Sequence, residues 1–506
     1  MKDQLDELKS RLAGIVDLRA ASALMSWDQE TYMPPGSIEA RAAQLATVGR
    51  LAHELFTSDG IADLLAGLAD EVTGLHYDSD DASLIRVTRR EFDKATRIPT
   101  ELVAAIARES ALAQHAWQEA RSRSEFKYFR PHLEKLVALN VEKAEALGYE
   151  DRLYDPLLDQ YEPEMTAAEV ERAFSGLEAE LVPLVQAIAE AAAGSGQQEF
   201  PFLYADYGEQ EQWDFGVEVM RDFGFDFERG RQDRSAHPFT TSFSINDVRL
   251  TTRIQRDFLP SALFGSLHEC GHGLYEQGVA ARLDRTPLAG GASLSVHESQ
   301  SRLWENLVGR SRGFWSHYYP HLKARFPGQL GDVDEDCFYR AINQVRPSLI
   351  RVEADEVTYN LHIILRFELE NALLEGALTV ADLPEAWNAK IEHYLGLVPG
   401  NDAEGVLQDI HWSMGAFGYF PTYTLGNLIS SQLFDRAQQE LSGLDQQIAS
   451  GHFRELLHWL REKVHQHGQK YAAAELLDRI VGQGLAADSW LRHIRRKYSE
   501  LYACNL

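Results

Sequence analysis

The chain of 506 residues holds only three cysteines, Cys270, Cys337 and Cys504. An odd number at wide spacing argues against a disulfide framework and points to a reducing compartment. No stretch approaches the ~20 consecutive apolar residues of a membrane span. Positive charge is scarce, with 49 Lys+Arg against 77 Asp+Glu and a net charge of −28. Such a surface repels phosphate backbones and anionic lipid heads, so a nucleic-acid or membrane role would require a local basic stripe. The densest basic stretches, 492–497 and 249–256, are short and interrupted, and they read as solvated faces near a helix end and on strands. No secretory signal is expected either. The first residues place Leu5, Leu8, Leu12 and Ile15 at helical spacing among charges, an amphipathic helix without an apolar h-region. The expectation is a cytoplasmic protein with no nucleic-acid and no membrane partner.

What is present is an ordinary globular composition, 44% apolar, long enough to bury a large core. Most of it carries helical punctuation. Thr166 and Glu169 have capping-box spacing ahead of an apolar stripe over 166–193, Thr379 to Asp382 repeats the signal, and 100–115 with 131–147 reads as a helical pair closed by Gly148. One segment departs from this. Over 239–254, Phe, Thr, Ser, Val, Leu and Ile alternate about Asn246-Asp247, the pattern of a β-hairpin or small sheet edge. The one linker-like stretch, 194–198, is short. A mainly α protein with a small sheet is predicted.

Immediately after the hairpin stands His268-Glu269-Cys270-Gly271-His272. Four residues apart on a helix, His268 and His272 project from one face, where two imidazoles can reach one Zn²⁺. Glu269 lies about 100° round the helix, placed to meet a water there without displacing it. Two glycines, Gly271 and Gly273, cost about 1 kcal/mol each in a helix interior relative to Ala, and so demand close packing or substrate approach. Cys270 points away from the histidines and reads as packing.

A hydrolytic site needs a third protein ligand and an open position for water. Glu298, 26 residues after His272, is the best candidate, with His297 and Glu305 competing for the role and an ion pair with Arg302 as Glu298's alternative use. With that ligand in place, Glu269 takes the proton of a metal-activated water as the water attacks a peptide carbonyl, then delivers it to the leaving amine.

Six motifs occur in order that together resemble the M32 metallocarboxypeptidases, the thermostable carboxypeptidase Taq type. They are His237-Pro238-Phe239, Asp247-Val248-Arg249-Leu250-Thr251, the His268 to His272 pentapeptide, His297-Glu298-Ser299-Gln300, Ile350-Arg351-Val352-Glu353-Ala354-Asp355, and the run from Gly405 through Gln408, Asp409 and His411 to Trp412. The stretch from Ser26 to Gly36 is similar as well. The resemblance implies metal ligands His268, His272 and Glu298, with Glu269 as general base. It implies a mainly α, saddle-like, gluzincin-type single domain over 1–506. In that domain a helical part about 1–200 and a catalytic part about 201–506 flank a deep groove, and a small sheet lies beside the His-Glu-x-x-His helix. It further implies a homodimer, one Zn²⁺ or Co²⁺ per chain, and removal of C-terminal residues from peptides with broad specificity, poor at proline. Arg302 stands four residues after Glu298, where thermolysin-like enzymes often carry an Asp that supports a ligand, so the groups behind the two histidines are left open.

An exopeptidase must hold a free α-carboxylate, which in an acidic protein calls for a fixed cation, preferably a bidentate Arg. Arg351, steadied by Glu353 or Asp355, is the first candidate and Arg249 the second. Tyr423 and His411, in an aromatic, glycine-broken stretch, are candidate donors to an oxyanion. His237 is a candidate lining residue. His458, His465 and His467 lack one-face spacing and are expected at the surface. Two other functions share these residues: a thermolysin-like endo- or oligopeptidase, and a non-catalytic metal-stabilised peptide-binding protein.

Overall fold

The structure, a computed structural model, describes every residue except 1, 71, 195–198 and 505. Most of the linker-like stretch therefore lies outside the described residues. The chain forms two compact units, each drawn from three stretches: the first from residues up to Thr96, Phe200–Ile342 and Leu433–Gly482, the second from Arg97–Glu199, Asn343–Gln432 and the residues from Gln483 onward. Among the described residues no helix is long and apolar enough to cross a membrane.

In the first unit the amphipathic start forms helix α1 (Lys2–Thr31), which buries Leu5, Leu8, Leu12 and Ile15 along one stripe. That stripe packs against Ile61, Leu65, Leu68, Leu84 and Ile85. Each such side chain contributes roughly 1.5–3 kcal/mol by leaving water. The expected hairpin is β2 (Thr240–Ser244) and β3 (Asp247–Thr252), antiparallel about the predicted turn. A third strand, β1 (Gly230–Arg234), pairs parallel to β3 from Gly230↔Val248 onward, giving the order β1-β3-β2. Its sequence, GRQDR, carries almost no β-branched or apolar signal, which is why it is silent in the pattern.

Val248 and Leu250 are buried on the sheet face that receives helix α2 (Leu259–Gly278). The two glycines of α2 are the reason it fits. A Cβ on Gly273 would lie 2.7 Å from the Phe225 ring and 2.8 Å from Leu250 Cδ2, and one on Gly271 would lie 2.6 Å from both the Gln300 carbonyl oxygen and Ser301 Cα. The second contact is backbone, so it cannot yield by a rotamer change. It sets the distance between α2 and helix α3 (Leu294–Arg302), which Ser293 caps by accepting from the Val296 N–H at 3.1 Å. Gly271→Ala is accordingly expected to destabilise the protein by about 1–3 kcal/mol or more through overpacking. A drop in the thermal midpoint checks this, and an unchanged midpoint would show that the helices can separate.

In the second unit the predicted pair is Thr100–Arg123 and Arg130–Leu147, the latter ended by Gly148 at φ +82°. The capping box forms: the Thr166 N–H donates to Glu169 Oε2 at 2.9 Å and the Glu169 N–H to Thr166 Oγ1 at 3.3 Å, opening Ala167–Gly194. Helix α4 (Tyr359–Leu374) is buried on nearly every side, with His362, Arg366 and Glu370 all at 0% exposure.

Two expectations of exposure fail. His458 is exposed and His467 partly so, but His465 is fully buried, with Nε2 2.9 Å from Gln300 Oε1. It sits in a 3₁₀ turn packed on α2 rather than on a helix face. Lys497, within the basic run 492–497, is also buried and donates to Glu356 Oε2 at 2.6 Å.

Candidate metal centre

Helix α2 presents His268 and His272 one turn apart, their ring centroids 4.9 Å from each other. Helix α3 brings Glu298 against them, with Oε2 3.6 Å from His268 Nε2 and 3.5 Å from His272 Nε2. The three ligand atoms all lie within 4.8 Å of one another, the one such group among the described residues. A tetrahedral ion bound at about 2.0–2.1 Å by nitrogen and oxygen would separate its ligands by about 3.4 Å, close to both Glu298–histidine separations, so the donor set suits Zn²⁺.

The other ring nitrogens are engaged elsewhere. His268 Nδ1 is 2.9 Å from Glu305 Oε2, and His272 Nδ1 is 2.6 Å from His297 Nδ1. Both Nε2 atoms therefore face the same point. His297 and Glu305, the rivals of Glu298 as third ligand, stand behind the histidines instead. The proposed use of Glu298 as a partner of Arg302 is also realised: Arg302 Nε donates to its Oε1 at 2.7 Å, leaving Oε2 toward the imidazoles. Glu305 lies on a π-helical stretch, Leu303–Val308, that continues α3.

Charge differs between the two histidines because different groups back them. Burial acts to lower the pKa of His268, but the Glu298 and Glu305 carboxylates overcome it and raise the ring to about 9. Burial lowers His272 to about 4, helped by the neighbouring His297 and His268 rings against the pull of Glu298. An ion entering between them would thus displace a proton from His268. Glu269 is buried, and burial raises its carboxyl above the ordinary range against the counter-pull of His268. Its Oε2 accepts from Thr240 Oγ1 of β2 at 2.6 Å, which aims the carboxylate from the sheet side.

In the second unit Arg351 is buried with Nε and Nη2 on Asp409 Oδ1, at 3.0 and 2.7 Å, and Nη1 on Tyr359 Oη at 2.9 Å. Its supports are thus Asp409 and Tyr359. The expected Glu353 is exposed, and Asp355 accepts from the Arg346, Val357 and Thr358 backbone instead. Arg366 takes Asp409 Oδ2 at 2.7 Å and Gln408 Oε1 at 2.8 Å. Two guanidiniums therefore share one carboxylate. Burial lowers the adjacent His362 to about 3 and His411 to about 4, so neither adds charge and the cluster keeps one net positive charge. His411 Nδ1 is 3.9 Å from Asp409 Oδ1, and the Tyr423 ring lies 5.1 Å from the Arg351 guanidinium carbon.

A family described as "Carboxypeptidase Taq (M32) metallopeptidase" matches residues 7–498. The chain is 42% identical to thermostable carboxypeptidase 1 of Thermus thermophilus over 496 residues, 96% of each protein. It is 37% identical to carboxypeptidase 1 of Bacillus subtilis, covering 95% of each. A crystal structure of an M32 carboxypeptidase from Deinococcus radiodurans superposes with a TM-score of 0.95 at 42% identity, covering 99% of this chain and all of that one. The chain belongs to the M32 metallocarboxypeptidase family.

The remaining expected residues of this M32 enzyme occupy less committed positions. Arg249 on β3 is paired with Asp247 at 2.9 and 3.1 Å and lies over the Trp27 ring at 4.3 Å. His237 is exposed, its carbonyl accepting from Ser235 Oγ at 2.6 Å. Cys270 is buried, and burial pushes its thiol up, as befits packing. One residue without a motif stands out. The Glu370 carboxylate on α4 accepts from Tyr154 Oη, Trp412 Nε1 and the Gly418 N–H at 2.7, 2.8 and 3.1 Å, and burial raises it to about 7. It anchors the segment that carries His411. Its sequence signal is weak, one of two acids, with Glu368, in a helix that also carries His362 and Arg366.

Proposed function

We propose that this M32 metallocarboxypeptidase shortens peptides from a free C-terminus one residue at a time, with broad preference and poor action at proline. In this reading His268, His272 and Glu298 hold one Zn²⁺, for which Co²⁺ can substitute. The observation that carries it is the convergence of two Nε2 atoms on one Glu298 oxygen at 3.5 and 3.6 Å, with a buried carboxylate on the adjacent residue. A structural site has no use for that second carboxylate and closes its fourth position with protein.

When bound, the ion supplies a Lewis acid and an acidified water. Glu269 takes the proton of that water, a role suited to a carboxyl raised by burial. It then returns the proton to the leaving amine. Thr240 orients it throughout. Arg351, in a cluster of net charge +1, serves the terminal carboxylate, and Tyr423 and His411 are assigned to donate toward the developing oxyanion. Arg249 and His237 are assigned to substrate contact, with Arg249 already occupied by Asp247. The working form is taken as a cytoplasmic homodimer, and the net charge of −28 supports the absence of nucleic-acid and membrane partners.

Metal analysis coupled to mass-resolved digestion of one unblocked peptide tests this. A ladder losing single C-terminal residues is expected, together with one Zn²⁺ per chain and loss of most activity when the C-terminus is amidated. Undiminished cleavage of the amide would favour the endopeptidase, and stoichiometric metal without hydrolysis would favour the binding protein.

A further inference from the structure

A carboxylate stands directly behind His268, but behind His272 stands another imidazole. His272 Nδ1 is 2.6 Å from His297 Nδ1, His297 Nε2 is 2.7 Å from Glu276 Oε1, and Ser242 Oγ donates to Glu276 Oε2 at 2.7 Å. Placing the protons fixes the direction of this chain. If His272 Nε2 is to offer a lone pair, its proton sits on Nδ1 and is donated to His297 Nδ1. His297 must then carry its own proton on Nε2, where Glu276 accepts it. Glu276 meets donors at both oxygens, which suits the carboxylate form.

Packing holds the intermediate ring in place. The Tyr275 ring is centred 5.2 Å from that of His297, and a Cβ on Gly291 would lie 2.7 Å from His297 Cδ2. Glu276 follows His272 by four residues on α2, so the helix that supplies the ligand also supplies the terminal acceptor. Ser242 on β2 ties that acceptor to the strand whose Thr240 aims Glu269.

We propose that Glu276 and His297 are positioning residues that fix the tautomer and ring orientation of His272 for metal binding, a carboxylate–imidazole relay in place of the direct carboxylate behind His268. The proposal rests on the reading of His268, His272 and Glu298 as ligands. Groups behind metal-bound histidines change metal affinity by about 10–100-fold when removed.

The test uses the full chain and Zn²⁺ in competition with a chromophoric chelator, alongside the thermal midpoint of the metal-free protein. Glu276→Gln and His297→Gln are each expected to weaken Zn²⁺ affinity by about 10–100-fold with the metal-free midpoint nearly unchanged. The double variant should be no weaker than the worse single one, since both break one chain. Should Glu276→Gln fail to fold, Ser242→Ala removes only a hydroxyl and is expected to weaken Zn²⁺ severalfold. Wild-type affinity in the Glu276 and His297 variants, or in Ser242→Ala when it stands alone, would overturn the relay while His268→Ala still abolishes binding. Stoichiometric Zn²⁺ in His268→Ala would overturn the ligand reading and the relay together.

Discussion

Glu269→Gln is expected to lower kcat by about 10³–10⁴-fold while leaving one metal ion per chain. The side chain is not among the three converging ligand atoms, and its Oε2 is taken by Thr240 Oγ1 at 2.6 Å. Glutamine keeps the volume and an oxygen for that contact, so neither the fold of α2 nor the donor set should change. What disappears is an acceptor able to take a proton from water and return it to an amine. The pH profile gives a second signature. Burial raises the Glu269 carboxyl, so kcat/KM should fall as pH drops through a value above the ordinary carboxylate range, and that acid limb should be missing from the residual activity of the variant. Metal content by elemental analysis and single-turnover rates check the claim. Unchanged turnover would remove Glu269 from the chemistry, and joint loss of metal and activity would make it a support for the site instead.

What was legible in the sequence follows the range of the interactions concerned. Helix starts such as Thr166 with Glu169, the turn at Asn246-Asp247 and the one-face spacing of His268 and His272 are contacts within a few residues, and the chain pattern states them directly. The glycines of α2 were legible as a cost, but their cause, the α3 backbone at Gln300 and Ser301, was not. Glu298 could be nominated only beside His297 and Glu305, because all three lie on one short stretch. Their assignment waits on how α3 and its π-helical continuation meet α2. Local reasoning misled where partners are distant. Local spacing pairs Arg351 with Glu353 and Asp355, two and four residues away, whereas its buried geometry closes on Asp409, 58 residues on. The lack of helical spacing puts His465 at the surface, yet tertiary packing buries it beside Gln300. Strand β1 is held by its parallel pairing to β3 and not by its own propensity.

Arg351→Ala is expected to cut kcat/KM for peptides with a free C-terminus by about 10²–10³-fold, the effect of truncating one partner of a desolvated charge pair. The wild-type cluster sets Arg351 and Arg366 against Asp409, two positive charges and one negative, with His362 and His411 held neutral by burial. The variant leaves Arg366 and Asp409 as a balanced pair, so the excess charge that a substrate carboxylate would neutralise is gone. Asp409 keeps the Arg366 contacts at Oδ2, which argues that the unit survives the change. Arg351→Lys retains the charge but not the planar fork that reaches Asp409 through two nitrogens and Tyr359 through a third, so it should recover part of the loss, chiefly in KM. The decisive readout is a ratio. In the wild type, free-acid peptides should be cleaved far faster than their amides, and in Arg351→Ala that preference should collapse because the amide never used the guanidinium. A variant with intact preference would exclude Arg351 from carboxylate recognition and leave it a structural partner of Asp409.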